Sequence, residues 1–114
     1  MTIRLTLPYP PSANRYWRHN RGRIHRSAEA EAYKHHVGLL CNAADIWPVE
    51  HEVALDLVFF RPAKRMDLDN MLKVLLDALQ GHAYINDSQV AEIHATRMDD
   101  KANPRVEVEI QGVI

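Results

Sequence analysis

The sequence predicts an α+β domain: one mixed sheet of about four strands with two helices packed on it, in the order β-α-β-α-β-β. Three observations carry that expectation. Stretches such as TIRLTL at 2–7, HEVALDLVFF at 51–60 and RVEVEI at 105–110 place an apolar residue at every second position, the period of a half-buried strand. The segment 68–80 repeats its apolar residues at helical spacing instead. At 114 residues, 46% of them hydrophobic, the chain is large enough for one core, so residues 1–114 read as a single domain.

The first strand buries Ile3, Leu5 and Leu7 and ends at Pro8-Tyr9-Pro10-Pro11, because proline has no N–H for the ladder. A basic, hairpin-like segment follows to about residue 26, with Gly22 at its turn. Ser27 is a helix cap with Glu29 and Glu31 in the first turn, and the helix runs to about Ala44 on the stripe Ala30, Tyr33, Val37, Leu40, Cys41, Ala44. After Trp47-Pro48 comes the strand at 51–60, then a basic connection, Arg61-Pro62-Ala63-Lys64-Arg65-Met66-Asp67. The second helix, about 68–80, carries Leu68, Met71, Leu72, Leu75, Leu76 and Leu79 on one face and stops at Gly81. A turn at 84–88 leads into a strand at about 89–98, and Asn103-Pro104 turns the chain into the last strand. The last two strands are expected to pair as an antiparallel hairpin.

The net charge of −1 hides an uneven distribution. Residues 1–28 hold six arginines (Arg4, Arg15, Arg18, Arg21, Arg23, Arg26) and no acid, so the remaining 86 residues carry −7. Five of these arginines lie between 15 and 26, among Tyr16, Trp17, His19 and His25. Such a segment suits a polyanion, whose counterions each bound cation releases. It also suits a solvated loop whose arginines pair with acids elsewhere in the chain. No apolar run approaches the ~20 residues of a membrane span, so no membrane partner is expected. The single cysteine, Cys41, excludes an intrachain disulfide and fits a cytoplasmic location.

The sharpest chemical signal is Asp67-Leu68-Asp69-Asn70-Met71-Leu72-Lys73, where a strand connection becomes a helix. Aspartates two apart diverge by about 200° in a helix but share a face in extended chain. Asp67 therefore belongs before the helix and Asp69 in its first turn, where both can converge on one cation. Hard oxygen donors without a His/Cys cluster favour Mg²⁺ over zinc. The seven histidines form no HxxxH or HxH pattern. Two aspartates rarely complete such a site, and Asp87, in a turn before a strand, is the best-placed third carboxylate. Lys73, one turn beyond Asp69, is suited to negative charge on a transferring phosphate. Asp77, two turns from Asp69, is assigned to an i,i+4 pair with Lys73. Each residue also has a plain structural use: a helix cap for Asp67 or Asp69, an Asx-turn for Asp87, an ion pair for Lys73.

Together, Leu7-Pro8-Tyr9-Pro10-Pro11-Ser12-Ala13-Asn14-Arg15-Tyr16, Arg18-His19-Asn20-Arg21-Gly22-Arg23, Asp67-Leu68-Asp69-Asn70, Lys73, Asp77-Ala78-Leu79 and Asn86-Asp87-Ser88-Gln89-Val90 resemble the RusA family of Holliday-junction resolvases. The family is common in bacteriophages and prophages, and the resemblance spans about residues 3–110. It implies a homodimeric, Mg²⁺-dependent endonuclease that resolves four-way DNA junctions in recombination and repair by paired symmetric nicks. It implies Asp67, Asp69 and Asp87 as metal ligands, Lys73 as the essential lysine, and no small-molecule cofactor. Expected DNA contacts are Asn14, Arg15, Arg18, Arg21, Arg23 and Arg65. The pI near 6.6 is lower than is usual in that family. Two other readings keep the fold: a catalytically inactive junction-binding module, and a metal-dependent nuclease acting on flaps or RNA.

Overall fold

The computed structural model describes residues 2–63 and 67–113. Strand β1 (Thr2–Pro8) leads into a one-turn helix α1 (Ala13–Tyr16) and a short hairpin, β2 (Trp17–Asn20) and β3 (Arg23–Arg26). Helix α2 (Ala28–Ala43), strand β4 (Val53–Arg61), helix α3 (Leu68–Leu79), a 3₁₀ turn (Asp87–Gln89), strand β5 (Val90–Asp99) and strand β6 (Arg105–Gly112) follow. The mixed four-stranded sheet and its two long helices are as the periodicity predicts. The arginine-rich segment adds a second sheet of two strands.

The order in the main sheet is β1-β6-β4-β5, with β4 and β5 parallel and the other neighbours antiparallel. This corrects the expected β5–β6 hairpin: β4 lies between them, pairing with β6 on one side and β5 on the other. A strand that returns through a helix lies parallel to its predecessor, so β4-α3-β5 is a crossover unit. β6 then takes the remaining edge of β4.

Leu5, Leu7, Leu55, Leu57, Phe59, Val106, Val108 and Ile110 face the helices and are buried with Val37 and Cys41 of α2 and Val74, Leu75 and Leu79 of α3. Ser27 caps α2 by accepting the Ala30 N–H (3.1 Å), and Gly81, at φ 86°, follows α3. Among the described residues, no helix covers the other sheet face. Cross-strand register puts Asp56, Glu92, Glu107 and Glu109 there, with Arg4 and Arg105.

Strand β5 is the unusual element. It is an edge strand of ten residues, nearly all exposed, and Ile93, on its helix-side face, remains 42% exposed. A long open edge of this kind is a template for another chain.

Helices α2 and α3 are joined at His82, whose ring lies over Gly38; a Cβ there would come within 2.6 Å of it. Burial, and next the charge of nearby Lys34, hold the His82 pKa below its usual 6.5. The unfolded chain therefore binds this proton more readily. The contribution is full above pH about 6.5 and is lost as pH falls through the lower folded-state value. His82→Gln is expected to flatten the decline in stability between about pH 7 and 5, read by urea unfolding at each pH.

Candidate active site and nucleic-acid surface

Helix α3 organises the site. Asp67 is its N-cap residue in backbone terms (φ −81°, ψ 139°), yet its side chain makes no capping hydrogen bond. Asp69 lies in the first turn, and Lys73 one turn on along the same face. Asp87 opens the 3₁₀ turn, but the turn is held by its neighbours. The Asn86 side chain accepts from Ser88 N (2.9 Å), and Gln89 Oε1 accepts from Asn86 N (2.8 Å) and Ile85 N (2.9 Å). Asp87 contributes only backbone groups: its N–H donates to Gln80 Oε1 (2.9 Å) and its carbonyl accepts the Val90 N–H. Among the described residues, the side chains of Asp67, Asp69, Lys73 and Asp87 make no hydrogen bond or ion pair, and all four are exposed. Of the structural uses open to them in the sequence, the Asx-turn is made by Asn86, while the helix cap and the ion pair are not made.

Asp77 does not pair with Lys73. It accepts the Tyr16 hydroxyl at 2.5 Å and Arg26 Nη1 at 3.3 Å on both oxygens. Arg26 also donates to Glu31 (2.9 Å), and Lys34 Nζ closes the C-terminal end of α3 on the Asp77 and Gln80 carbonyls (2.5 and 2.6 Å). Burial first, then the bond to Asp77, raise the Tyr16 pKa far above its usual 10. This network, with Ser27 N–H on the Tyr16 carbonyl (2.8 Å), fixes the base of the β2–β3 hairpin to α3. Only the alternation of residues 17–20 and 23–26 about Arg21-Gly22 hints at it in the sequence.

The hairpin turns on Arg21 (φ 51°) and Gly22 (φ 76°), the two positive φ values of a type I′ turn. The N-terminal arginines divide. Arg4 pairs with Glu109, Arg15 reaches Glu29 at 4.0 Å, and Arg26 is committed to Glu31 and Asp77. Arg18 bonds the Asn14 and Trp17 carbonyls, while Arg21 and Arg23 have no side-chain partner among the described residues. Asn14 shares a hollow with Asp67 and Asn70, lined also by Tyr9, whose hydroxyl contacts the Met71 sulfur. Burial, partly opposed by Arg61, pushes the Tyr9 pKa up to about 12. Arg65 lies outside the described residues.

The carboxylates suit a hard cation by donor type and by their freedom from other partners. Yet Asp67 and Asp69 belong to the N-terminal end of α3, a helix of about 18 Å, and Asp87 is tied to Gln80 at the other end. Among the described residues, no three His, Cys, Asp or Glu side chains lie close enough to share one ion.

Arg21 and Arg23 carry a direct prediction. Replacing both with Ala is expected to lower the slope of log K against log salt for DNA binding by about 2, one per lost phosphate contact. An unchanged slope in filter-binding titrations would make the hairpin tip structural only.

The sequence model of the endodeoxyribonuclease RusA family matches residues 8–111. A crossover junction endodeoxyribonuclease RusA of Escherichia coli K12 is 38% identical over 112 residues, covering 96% of this chain and 93% of its own length. The protein of that name from Enterobacteria phage 82 is 36% identical over 115 residues, and the one from Shigella sonnei 38% over 112, with the same coverage. With the match extending from the last residue of β1 to Gln111 in β6 and taking in every residue of the site, this chain belongs to the RusA endodeoxyribonuclease family.

Proposed function

We propose that this protein is a Mg²⁺-dependent endonuclease that resolves four-way DNA junctions by paired nicks, as a homodimer. One observation carries the reading. Asp67, Asp69, Lys73 and Asp87 are all exposed and all uncommitted, along one helix and the turn beyond it, beside a hairpin with two unpaired arginines. The relatives' names, crossover junction endodeoxyribonuclease, agree with it.

In this reading Asp67, Asp69 and Asp87 supply the oxygen ligands, and a bound Mg²⁺ would polarise the scissile phosphate and acidify the attacking water. Lys73 Nζ, free of any acid, offers its charge to the phosphoryl oxygens. Arg21 and Arg23 hold phosphates on the arm, and Asn14, beside Asp67, contacts the backbone near the cut.

The separation of Asp87 from Asp67 and Asp69 gives the dimer a chemical purpose. β4 and β5 end together at Arg61 and Asp99, the end from which the chain proceeds to Asp67, whereas Asp87 precedes the start of β5. Two β5 edges paired antiparallel about a twofold axis bring Asp87 of one protomer toward the end that holds Asp67 and Asp69 of the other. Ile93 and the open strand edge are then covered as well.

Cleavage of a synthetic four-way junction, a flap, a linear duplex and single-stranded RNA, each with Mg²⁺ and with EDTA, tests the assignment. Symmetric nicks on the junction alone, and only with the metal, are expected. Tight junction binding without a cut under any divalent metal would indicate the inactive module, and preferred cleavage of flap or RNA would change the substrate.

A further inference from the structure

The two faces of the β2–β3 hairpin have opposite chemistry. Cross-strand partners share a face, so Arg18, Asn20, Arg23 and His25 point one way, and Trp17, His19, Ile24 and Arg26 the other. The second set looks onto α3. Trp17 and Ile24 from the hairpin and Leu76 from α3 are the apolar lining of a hollow of about 420 Å³, which His19, Lys73, Asp77 and Asp87 complete.

Among the described residues, none fills this hollow. Ile24 is 65% exposed, so its large apolar side chain gains little in the folded protein alone. The Trp17 ring, by contrast, is held in place. It stands edge-on to Tyr16, with centroids 4.8 Å apart and planes at 78°, and Tyr16 is itself fixed by Asp77. A preset indole and an exposed isoleucine on one hairpin face, with Leu76 of α3 opposite them, form a slot for a flat, apolar-faced ring with polar edges.

We propose that this hollow receives a single unstacked nucleobase from the branch point of a DNA junction, a proposal that rests on the junction-nuclease reading above. Charge complementarity argues for DNA as the occupant. The opposite face and tip of the same hairpin present Arg18, Arg21 and Arg23, so a strand whose phosphates follow those arginines can turn one base inward. The volume lies within the roughly 300–1,000 Å³ of small-ligand sites. Lys73, which also lines the hollow, belongs to the proposed catalytic set of Asp67 and Asp69 on the same helix, which puts the phosphodiester beside the captured base next to the chemistry. The arrangement also selects structure. A base inside a continuous duplex loses stacking on both sides and its pair when it leaves, whereas a branch-point base has less to lose.

The test uses junctions carrying 5-iodouracil at single positions, irradiated in complex with the protein in EDTA so that no strand is cut. Adducts are located by mass spectrometry. Cross-linking to Trp17 or His19 is expected when the label sits at the branch point and is expected to be absent from a linear duplex of the same sequence. Ile24→Ser, at an exposed position that does not endanger folding, is expected to cut the adduct yield and weaken junction binding about tenfold, with the salt slope retained. Trp17→Phe is expected to keep the cross-link at residue 17. Junction binding with adducts elsewhere, with equal yield from the duplex, or with no adduct overturns the hollow and leaves the nuclease reading standing. No junction binding at all overturns both.

Discussion

Asp69→Asn is expected to lower junction cleavage on the order of 10³-fold or more while leaving junction binding as tight as in the wild type. A ligand carboxylate contributes through the metal, whose polarisation of phosphate and water amounts to several kcal/mol of transition-state stabilisation. Binding is expected to survive because the lost charge also repels the DNA phosphates, so removing it offsets the lost bridge. Stability is expected to change by no more than about 1 kcal/mol. Asp69 is exposed and without a partner, and its one structural contribution is a negative charge in the first turn of α3. Cleavage by the variant within tenfold of the wild type, under saturating Mg²⁺, would remove Asp69 from the site.

Mixing two inactive variants, Asp69→Asn and Asp87→Asn, is expected to restore cleavage. If each site takes Asp67 and Asp69 from one chain and Asp87 from the other, a mixed dimer holds one site with both defects and one that is intact. Unfolding and refolding the two together distributes chains at random, so about half the dimers recover one active centre. The product should then be a junction nicked on one strand rather than a resolved pair. Should all three carboxylates of a site come from the same chain, every chain in the mixture carries a defect and no activity returns. The readout separates the two arrangements without any need to know the interface.

Much of the fold was legible because its signals are local. Ser27 and Gly81 bound their helices where the capping rules put them, and the alternation in 53–61 and 105–112 gives both central strands. Strand partnership is not local. Nothing in residues 89–112 reveals that β4 separates β5 from β6, since either pairing would bury the same face. Asp77 failed for a related reason: helical spacing offered Lys73, while the groups that bind it, Tyr16 and Arg26, are 61 and 51 residues away. The aspartates were identifiable as candidates from their spacing. What the spacing could not convey is that Asn86 and Gln89 hold the turn in place of Asp87, or that α3 separates Asp87 from Asp67 and Asp69.

The bare sheet face has a consequence for how the protein meets DNA. With Asp56, Glu92, Glu107 and Glu109 outnumbering Arg4 and Arg105 on one side and the arginine hairpin packed on the helical side, the two sides of the chain carry opposite excesses of charge. Beyond contact distance, a polyanion exerts a torque on such a body, turning the hairpin inward before collision and rejecting the wrong side by repulsion. That steering operates over about one Debye length, roughly 8 Å at physiological salt, so its benefit lies in the fraction of encounters that arrive correctly oriented. A pI of 6.6 is thus compatible with rapid, one-sided docking.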